Sequence, residues 1–321
     1  MALNGLRICW GGVRVRGGSR RLECGEEVND PGIIEEAMKL VNEFLDRVEK
    51  HRSMLLSDEN TPFDYAIKSL SDWLQEIKAK IEDGGDENVI MLRKVMHDVG
   101  EKMLKLAEQG REGGWFSTYR RELEELIEEL RSNKATIIIS GEPFNEDKNF
   151  MTHLYTDHLA IDVERVAKSG STTIEIIFTG LKGTHIAVPK QFGENKLRAM
   201  QCGLLMTDGS VDKYGYPVMV TNQLWQAIAW LMAWPGSNYM RIDGVSLNDG
   251  DLSVRWHLRA IDHRGVFEGK AWSLGKPASS VMKNSWCSYY SQCLAMAMWM
   301  LKRSLLGSQW VSRSVNCGGA T

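Results

Sequence analysis

The spacing of the hydrophobic residues changes near Asn133, and this change constrains the fold more than any other feature of the chain. Before Asn133, apolar residues recur at the interval typical of amphipathic helices. After it, apolar and polar residues alternate in short runs, the pattern of strands that bury one face. We therefore predict an α+β protein, with an N-terminal antiparallel helical bundle followed by a β-rich segment and a further unit of helices and strands.

The helical region is predicted to span residues 30–133 and to contain four helices. The first begins with Asp30 as N-cap and Pro31 at the first helical position. The others are predicted at residues 62–81, 87–108 and 115–130. Short connections between amphipathic helices favour an antiparallel bundle.

The segments on either side of the bundle have different compositions. Residues 1–29 are rich in Gly and Arg and are predicted to form an irregular leader. Residues 134–192 are predicted to be β-rich, with strands separated by glycines. These strands are expected at residues 135–140, 158–166, 172–179 and 185–188. The histidines of this segment have no metal-ligand spacing and are interpreted as ordinary surface or core residues.

A helix ending in Asp-Gly marks the start of the last predicted unit, residues 193–270. Residues 201–209 of this helix have the sequence QCGLLMTDG. A short strand, a second helix and two further strands are expected after it. The final two strands, residues 239–247 and 252–261, are predicted to form a hairpin through an Asp-Gly turn.

This unit resembles half of a LAGLIDADG homing endonuclease. The nine residues match that motif at Gly203, Leu204, Asp208 and Gly209, and Leu205 is a conservative difference. The order of helices and strands after the motif adds to the resemblance. The stretch from about residue 178 to 270 also resembles the archaeal paralogous repeat proteins of the PaRep type found in Pyrobaculum, a hyperthermophile, but this second resemblance implies no activity.

The resemblance to the endonucleases implies a role for two residues of the helix. In such enzymes two helices pack side by side, which implies Gly203 at their contact, and each helix supplies one carboxylate to a divalent cation. Asp208 is the matching carboxylate, and Mg²⁺ is the expected ion if the protein is active. The alternative is that Asp208 only ends the helix before Gly209.

The two final strands would form a surface for DNA. Their alternation places Arg255, His257 and Arg259 on one face, with Arg241 on the neighbouring strand. Arginines in this arrangement bind phosphates or guanine edges. Acidic residues close by weaken the positive field, and the alternative is an ordinary solvated face.

The last segment, residues 271–321, has a composition unlike the rest and is predicted to be translated in a shifted reading frame. Met and Trp have single codons, so the alternative frame must encode Gly, Val and Asp at the junctions 296–297, 298–299 and 299–300. The remaining wobble positions permit an apolar helix that closes on Gly-Asp-Gly. The missing second motif would then be encoded but not translated.

Composition narrows the environment of the protein. A net charge of −3 gives no overall attraction to nucleic acid, so any binding depends on a local patch. The six cysteines lack zinc-ligand spacing and are interpreted as free thiols in a reducing compartment, which predicts a cytoplasmic location. The most apolar stretch, residues 286–306, contains charged residues, so no membrane partner is expected.

Three functions follow from these observations. The first is a degenerate LAGLIDADG-like protein of mobile-element origin that binds duplex DNA weakly and has lost nuclease activity. The second is a protein-interaction scaffold built on the helical bundle. The third is a homodimeric, metal-dependent DNA endonuclease to which each subunit contributes Asp208.

Overall fold

The helices come first along the chain and most of the strands follow, which confirms the α+β class. The computed structural model describes residues 5–12, 21–57, 59–113, 115–247 and 252–267. The helices are α1 (Pro31–Lys50), α2 (Arg52–Leu55), α3 (Pro62–Glu82), α4 (Glu87–Glu112), α5 (Trp115–Arg131), α6 (Glu194–Met206) and α7 (Leu224–Ala233). The strands are β1 (Arg7–Gly12), β2 (Glu23–Glu27), β3 (Thr136–Gly141), β4 (Phe150–Tyr155), β5 (Leu159–Arg165), β6 (Thr172–Phe178), β7 (Thr184–Val188), β8 (Gly209–Val211), β9 (Pro217–Thr221), β10 (Gly236–Leu247) and β11 (Leu252–Ala260).

All of the described strands belong to one sheet. Their order is β2-β1-β3-β4-β5-β6-β10-β11-β9-β8, and β7 pairs with the other end of β10. The long strand β10 joins the two predicted β regions, because residues 244–247 pair with β6 and residues 236–240 pair with β7. The predicted β-rich segment and the unit that follows it are therefore continuous through hydrogen bonding.

One face of this sheet is apolar and is covered by helices. The side chains on this helix-covered face come from alternate strand positions, including Ile137, Ile139, Leu154, Ile161, Val163, Ile174 and Ile176, all of which are buried. Arg47 of α1 donates a hydrogen bond to the carbonyl oxygen of Leu247 at 2.7 Å. The ring of Tyr119 in α5 stacks on Phe178 of β6, with ring centroids 4.4 Å apart.

The helices therefore share one core with the sheet, which modifies the prediction of a bundle. Helices α3 and α4 do form an antiparallel pair, since Gly110 lies against Phe63 and Gly100 against Trp73. Their apolar faces are nonetheless part of the same hydrophobic cluster as the strands. A strand region with one apolar face needs a covering layer, and the preceding helices provide it.

Helix α4 extends past its predicted end near residue 108 and continues to Glu112. Gly110, two residues after the predicted end, lies inside the helix. A Cβ atom at this position would come within 2.6 Å of the Phe63 ring. The glycine allows close packing of two helices here and does not act as a helix terminator.

The prediction of an irregular leader at residues 1–29 is wrong for its two described strands. Strand β1 pairs in parallel with β3 and antiparallel with β2. The N–H of Arg7 donates to the carbonyl oxygen of Ala135 at 3.1 Å. Strand formation depends here on hydrogen bonds to the edge of β3, and local composition does not reveal them.

The prediction that all cysteines are free is also wrong. Cys9 and Cys24 form a disulfide, with their Cα atoms 5.5 Å apart, a separation suited to such a bond. The pairing of β1 with β2 brings these residues together. Cys202 is a free, buried thiol, and the other three cysteines lie outside the described residues.

Several predictions fall on residues that the structure does not describe. They concern the shifted reading frame at 271–321 and the Asp-Gly turn at 248–251. The apolar stretch at 286–306 also lies there. In the described part of the chain, every helix is too short or too polar to cross a membrane.

Candidate functional site

The end of α6 holds Asp208, the predicted metal ligand. The helix ends at Met206 and Thr207 is its C-cap, with the Thr207 N–H donating to the carbonyl oxygen of Gly203 at 3.2 Å. Asp208 therefore lies one residue beyond the cap and is exposed. Its carboxylate accepts a hydrogen bond from the side-chain amide of Gln226 in α7. This contact ties the end of α6 to α7.

The glycines of the motif have separate structural roles. Gly209 begins β8, and a Cβ atom there would lie 2.8 Å from the carbonyl oxygen of Leu204. Gly203 is buried, as is every residue from 199 to 205. A helix that is buried on all sides within one chain has no uncovered side in this stretch for a second helix.

Asp208 supplies one carboxylate, and a magnesium site needs several oxygen ligands. Among the described residues, groups of three potential cation ligands are limited to one cluster on α4, formed by His97, Asp98 and Glu101. Asp208 belongs to no such group. The second carboxylate implied by the resemblance is not among the described residues, so Mg²⁺ binding stays a prediction.

The four residues predicted to contact DNA lie on the face of the sheet opposite the helices. We call this the polar face, since it also carries Ser140, His153, Asp162 and Glu175. The registers that align these residues run across β3, β4, β5, β6, β10 and β11. The predicted grouping on one face of the hairpin is therefore present in the structure.

Each predicted DNA contact is held by a carboxylate. The buried Arg255 contacts Glu175 at 3.1 Å and Asp243 at 3.9 Å. His257 Nδ1 lies 3.3 Å from an Asp243 oxygen, and Arg241 lies 3.9 Å from the same atom. We refer to these five residues as the paired-charge cluster. Its arginines are already partly neutralised before any ligand binds.

A β-bulge places Asp243 among these cations. The pairing of β10 with β11 shifts between Ile242 and Gly244, so Asp243 is the extra residue. Bulges redirect a side chain in this way. Alternation from Arg241 predicts this face for Asp243, and the bulge adds that Gly244, and not Asp243, stands opposite Arg255.

The two acids of the cluster have opposite pKa shifts. Burial would raise the pKa of Asp243, but the hydrogen bond to His257 and the nearby arginines outweigh it and hold the pKa below its ordinary value. Burial raises the pKa of Glu175, and the attraction of Arg255 does not compensate. Asp243 is therefore the main counter-ion of the cluster.

Arg259 lies beside the cluster and has its own partners. Its guanidinium contacts Asp212 at 2.8 Å and lies over the Tyr216 ring, 5.5 Å from the centroid. The side chains of Arg259 and Arg241 are 32% and 35% exposed, whereas that of Arg255 is 7% exposed. Only the first two are placed for contact with a large ligand.

The cationic side of this face has unused hydrogen-bonding capacity. Buried polar atoms that lack a hydrogen-bond partner include Arg241 Nε, Arg255 Nη1, Arg259 Nε and Ser253 Oγ. Such atoms are costly unless water or a ligand satisfies them. Asp212 Oδ2 and Asp243 Oδ1 are also among these atoms, so this part of the polar face holds both donors and acceptors that water or a ligand can satisfy.

Comparisons of the chain with models of known protein families, with characterised proteins and with solved structures found no match. The polar face is therefore the feature from which a function is inferred.

Proposed function

We propose that the protein binds duplex DNA weakly through the polar face of β9, β10 and β11 and does not cleave it. Arg241 and Arg259 would be the principal phosphate contacts. The observation that carries this proposal is that both arginines are about one-third exposed on one face of the sheet. Guanidinium groups in such positions bind phosphate oxygens.

Weak binding is expected because acids neutralise the cations. Asp243 contacts Arg241, Arg255 and His257, and Asp212 contacts Arg259. Binding a phosphate would have to compete with these contacts. In this proposal Arg255 and His257 contribute by holding Asp243, and they reach DNA only if the cluster opens.

The resemblance to LAGLIDADG endonucleases supports a nucleic-acid ligand. The described order of α6, β8, β9, α7, β10 and β11 agrees with the helix and strand order behind that resemblance, with β8 as an additional short strand. Loss of cleavage is proposed because Asp208 is the one motif carboxylate among the described residues. A homodimeric nuclease would need contact through α6, whose residues 199–205 are already buried.

The scaffold alternative has less support. Helices α1, α3, α4 and α5 use their apolar faces to cover the sheet, as their shared hydrophobic cluster indicates. A groove lies between Tyr65 and Leu70 of α3 and Trp256 of β11, but nothing in the described residues identifies a protein partner for it. The polar face therefore remains the better candidate surface.

DNA binding is tested by fluorescence anisotropy with a labelled duplex over a range of salt concentrations. We expect affinity to fall as salt rises, because phosphate contacts release counterions. Arg259→Ala and Arg241→Ala should each weaken binding and lower the salt slope by about one. Asp243→Asn should tighten binding, since it removes the competing charge.

The matched control is Arg52→Ala, which removes an arginine that is 57% exposed on α2 and paired with Glu49. It should leave the salt slope unchanged. Salt-independent binding, or an equal loss in the control, would contradict the proposal. Magnesium-dependent cleavage that disappears in Asp208→Asn would favour the homodimeric nuclease instead.

A further inference from the structure

Three side chains on consecutive strands form a hydrogen-bonded chain at the other end of the polar face. Ser140 lies on β3, His153 on β4 and Asp162 on β5. Ser140 Oγ is 2.8 Å from His153 Nε2, and His153 Nδ1 is 2.7 Å from Asp162 Oδ1. Both distances are those of well-formed hydrogen bonds.

The register of the strands explains why these residues meet. His153 and Asp162 are direct cross-strand partners on the same face. His153 is also opposite Ile138, and Ser140 lies two residues further along on that face. Direct and diagonal neighbours of this kind are within side-chain reach.

The hydrogen bonds select one form of the imidazole. A carboxylate accepts hydrogen bonds, so Asp162 holds the proton of His153 on Nδ1. The lone pair of Nε2 then accepts the hydroxyl proton of Ser140. This is the arrangement in which a histidine can remove a proton from serine, and it is recognised by geometry on unrelated folds.

The environment leaves the serine accessible while it fixes the histidine. His153 is 7% exposed, and the Tyr155 ring lies nearly parallel to it, with centroids 6.4 Å apart and planes at 10°. Ser140 and Asp162 are half-buried. Ile138, on the same strand face as Ser140, gives the site an apolar neighbour, which favours small uncharged acyl groups over charged ones.

We propose that Ser140 is a nucleophile toward small uncharged esters, with His153 as general base and Asp162 as a positioning residue. Ser140 Oγ would bond to the ester carbonyl carbon while its proton moves to His153 Nε2. Collapse of the adduct breaks the carbon–oxygen bond of the leaving group, which departs as an alcohol with that proton. Water, deprotonated by His153, then releases the acid and restores Ser140.

A second carboxylate–histidine pair provides an internal control. His158 Nδ1 lies 2.6 Å from Glu122 Oε1. The backbone N–H of His158 also donates to Glu122, at 2.8 Å. The hydroxyl of Thr156 donates to Glu122 and not to the histidine ring. Among the described residues, no serine hydroxyl is recorded on the His158 ring, in contrast to Ser140 on His153. His158 should therefore not activate a nucleophile.

The direct test uses a fluorophosphonate probe on the full chain, followed by mass spectrometry of the labelled peptides. Ser140 Oγ would bond to phosphorus, fluoride would leave with the electron pair of its bond, and the hydroxyl proton would pass to His153. We expect the label on the peptide that contains Ser140. If the wild-type chain is not labelled, or is labelled only at other residues, that result alone would overturn the proposal.

Variants separate a reactive serine from a structural one. Ser140→Ala should abolish labelling, and His153→Gln should slow it by about 100-fold or more, the contribution of a positioned base. Asp162→Asn should also slow labelling, and Asp162→Glu should restore part of the rate. A purely structural role for Asp162 would leave the rate unchanged in those variants that keep the wild-type thermal unfolding temperature.

The control variant His158→Gln should label at the wild-type rate. Hydrolysis of p-nitrophenyl acetate, measured on the same set, should follow the same order. Equal losses in His158→Gln and His153→Gln would indicate a general effect of destabilisation and would refute the assignment of His153 as base.

Discussion

The two polar clusters on one sheet face differ in how completely their hydrogen bonds are formed. In the cluster of Ser140, His153 and Asp162, the contacts are 2.7 and 2.8 Å long. In the paired-charge cluster, most contacts to Asp243 are between 3.3 and 3.9 Å. Buried polar atoms without hydrogen bonds accompany the second cluster. The first cluster is already arranged for a reaction, whereas the second retains capacity for a ligand.

This difference has a backbone origin. Direct strand pairing places His153 against Asp162, so their distance is set by regular register. A bulge places Asp243 between two strands of cations, so it faces several partners at once. Regular pairing therefore favours one short contact, and the bulge favours several longer ones.

The largest effect on stability is expected for Arg255→Ala. Arg255 is buried and contacts both Asp243 and Glu175. Its removal leaves the buried Asp243 with only the contacts to His257 and Arg241, which should lower the free energy of unfolding by about 3 kcal/mol in chemical denaturation, the lower end for a broken buried ion pair. Asp162→Asn should cost only about 1 kcal/mol, the value of one hydrogen bond. Equal losses of unfolding free energy in the two variants would mean that the two clusters contribute equally to stability.

A smaller effect is expected for two glycines that adjoin the clusters. Gly141 follows Ser140, and a Cβ atom there would lie 2.1 Å from the carbonyl oxygen of Asn149, with φ at +90°. Gly244 follows Asp243, and its Cβ would lie 2.1 Å from the carbonyl oxygen of Ile176. Alanine at either site should cost about 1–3 kcal/mol of unfolding free energy, because the strands must move apart.

These two variants also separate the clusters functionally. Gly141→Ala should slow phosphonate labelling of Ser140 and leave the salt slope of DNA binding intact. Gly244→Ala should alter DNA binding and leave labelling intact. Gly12→Ala is the matched control, since nothing lies within 4 Å of its added Cβ. The same loss of both activities in both variants would show that the clusters depend on each other.

The smallest effect concerns the pH dependence of stability. The folded-state pKa of Asp243 is lower than its unfolded value of about 4. Its contribution is therefore present above about pH 4 and is lost as the pH falls through the folded-state pKa. The difference in unfolding free energy between the wild type and Asp243→Asn should shrink below about pH 4.

Glu175→Gln provides the contrasting case, because the pKa of Glu175 is raised. Because the folded state holds the proton of Glu175 more tightly, this group favours folding at low pH, and the effect is lost as the pH rises through the folded-state pKa. Glu175→Gln should therefore change the pH dependence of the unfolding free energy above about pH 4. It should leave that dependence largely unchanged below about pH 4. Identical profiles for the two variants would contradict the assignment of Asp243 as the main counter-ion.

Much of the fold could be predicted from local patterns. The Asp30-Pro31 start, the helices α1, α3, α4 and α5, and the strands β5 and β6 follow from local patterns. Strand β4, by contrast, was not predicted, although it carries His153. It forms because β3 and β5 lie on either side of it.

The candidate sites were predictable only in part. Alternation correctly placed Arg241, Arg255, His257 and Arg259 on one face. The sequence also indicated that nearby acids weaken the positive field, as Asp243 does. It did not reveal Glu175, which contacts Arg255 from a strand distant in sequence. No signal in the sequence linked Ser140 to His153, since their contact needs the register of β3 with β4.

The sequence by itself determined the secondary-structure class, the change from helix to strand near Asn133, and which side chains alternate along each strand. These depend on periodicity and on local backbone preferences. Only the tertiary structure decided that the helices cover the sheet, that Cys9 meets Cys24, and which polar side chains face each other. Those outcomes depend on strand register between distant segments, where a shift of one residue would reverse every side chain.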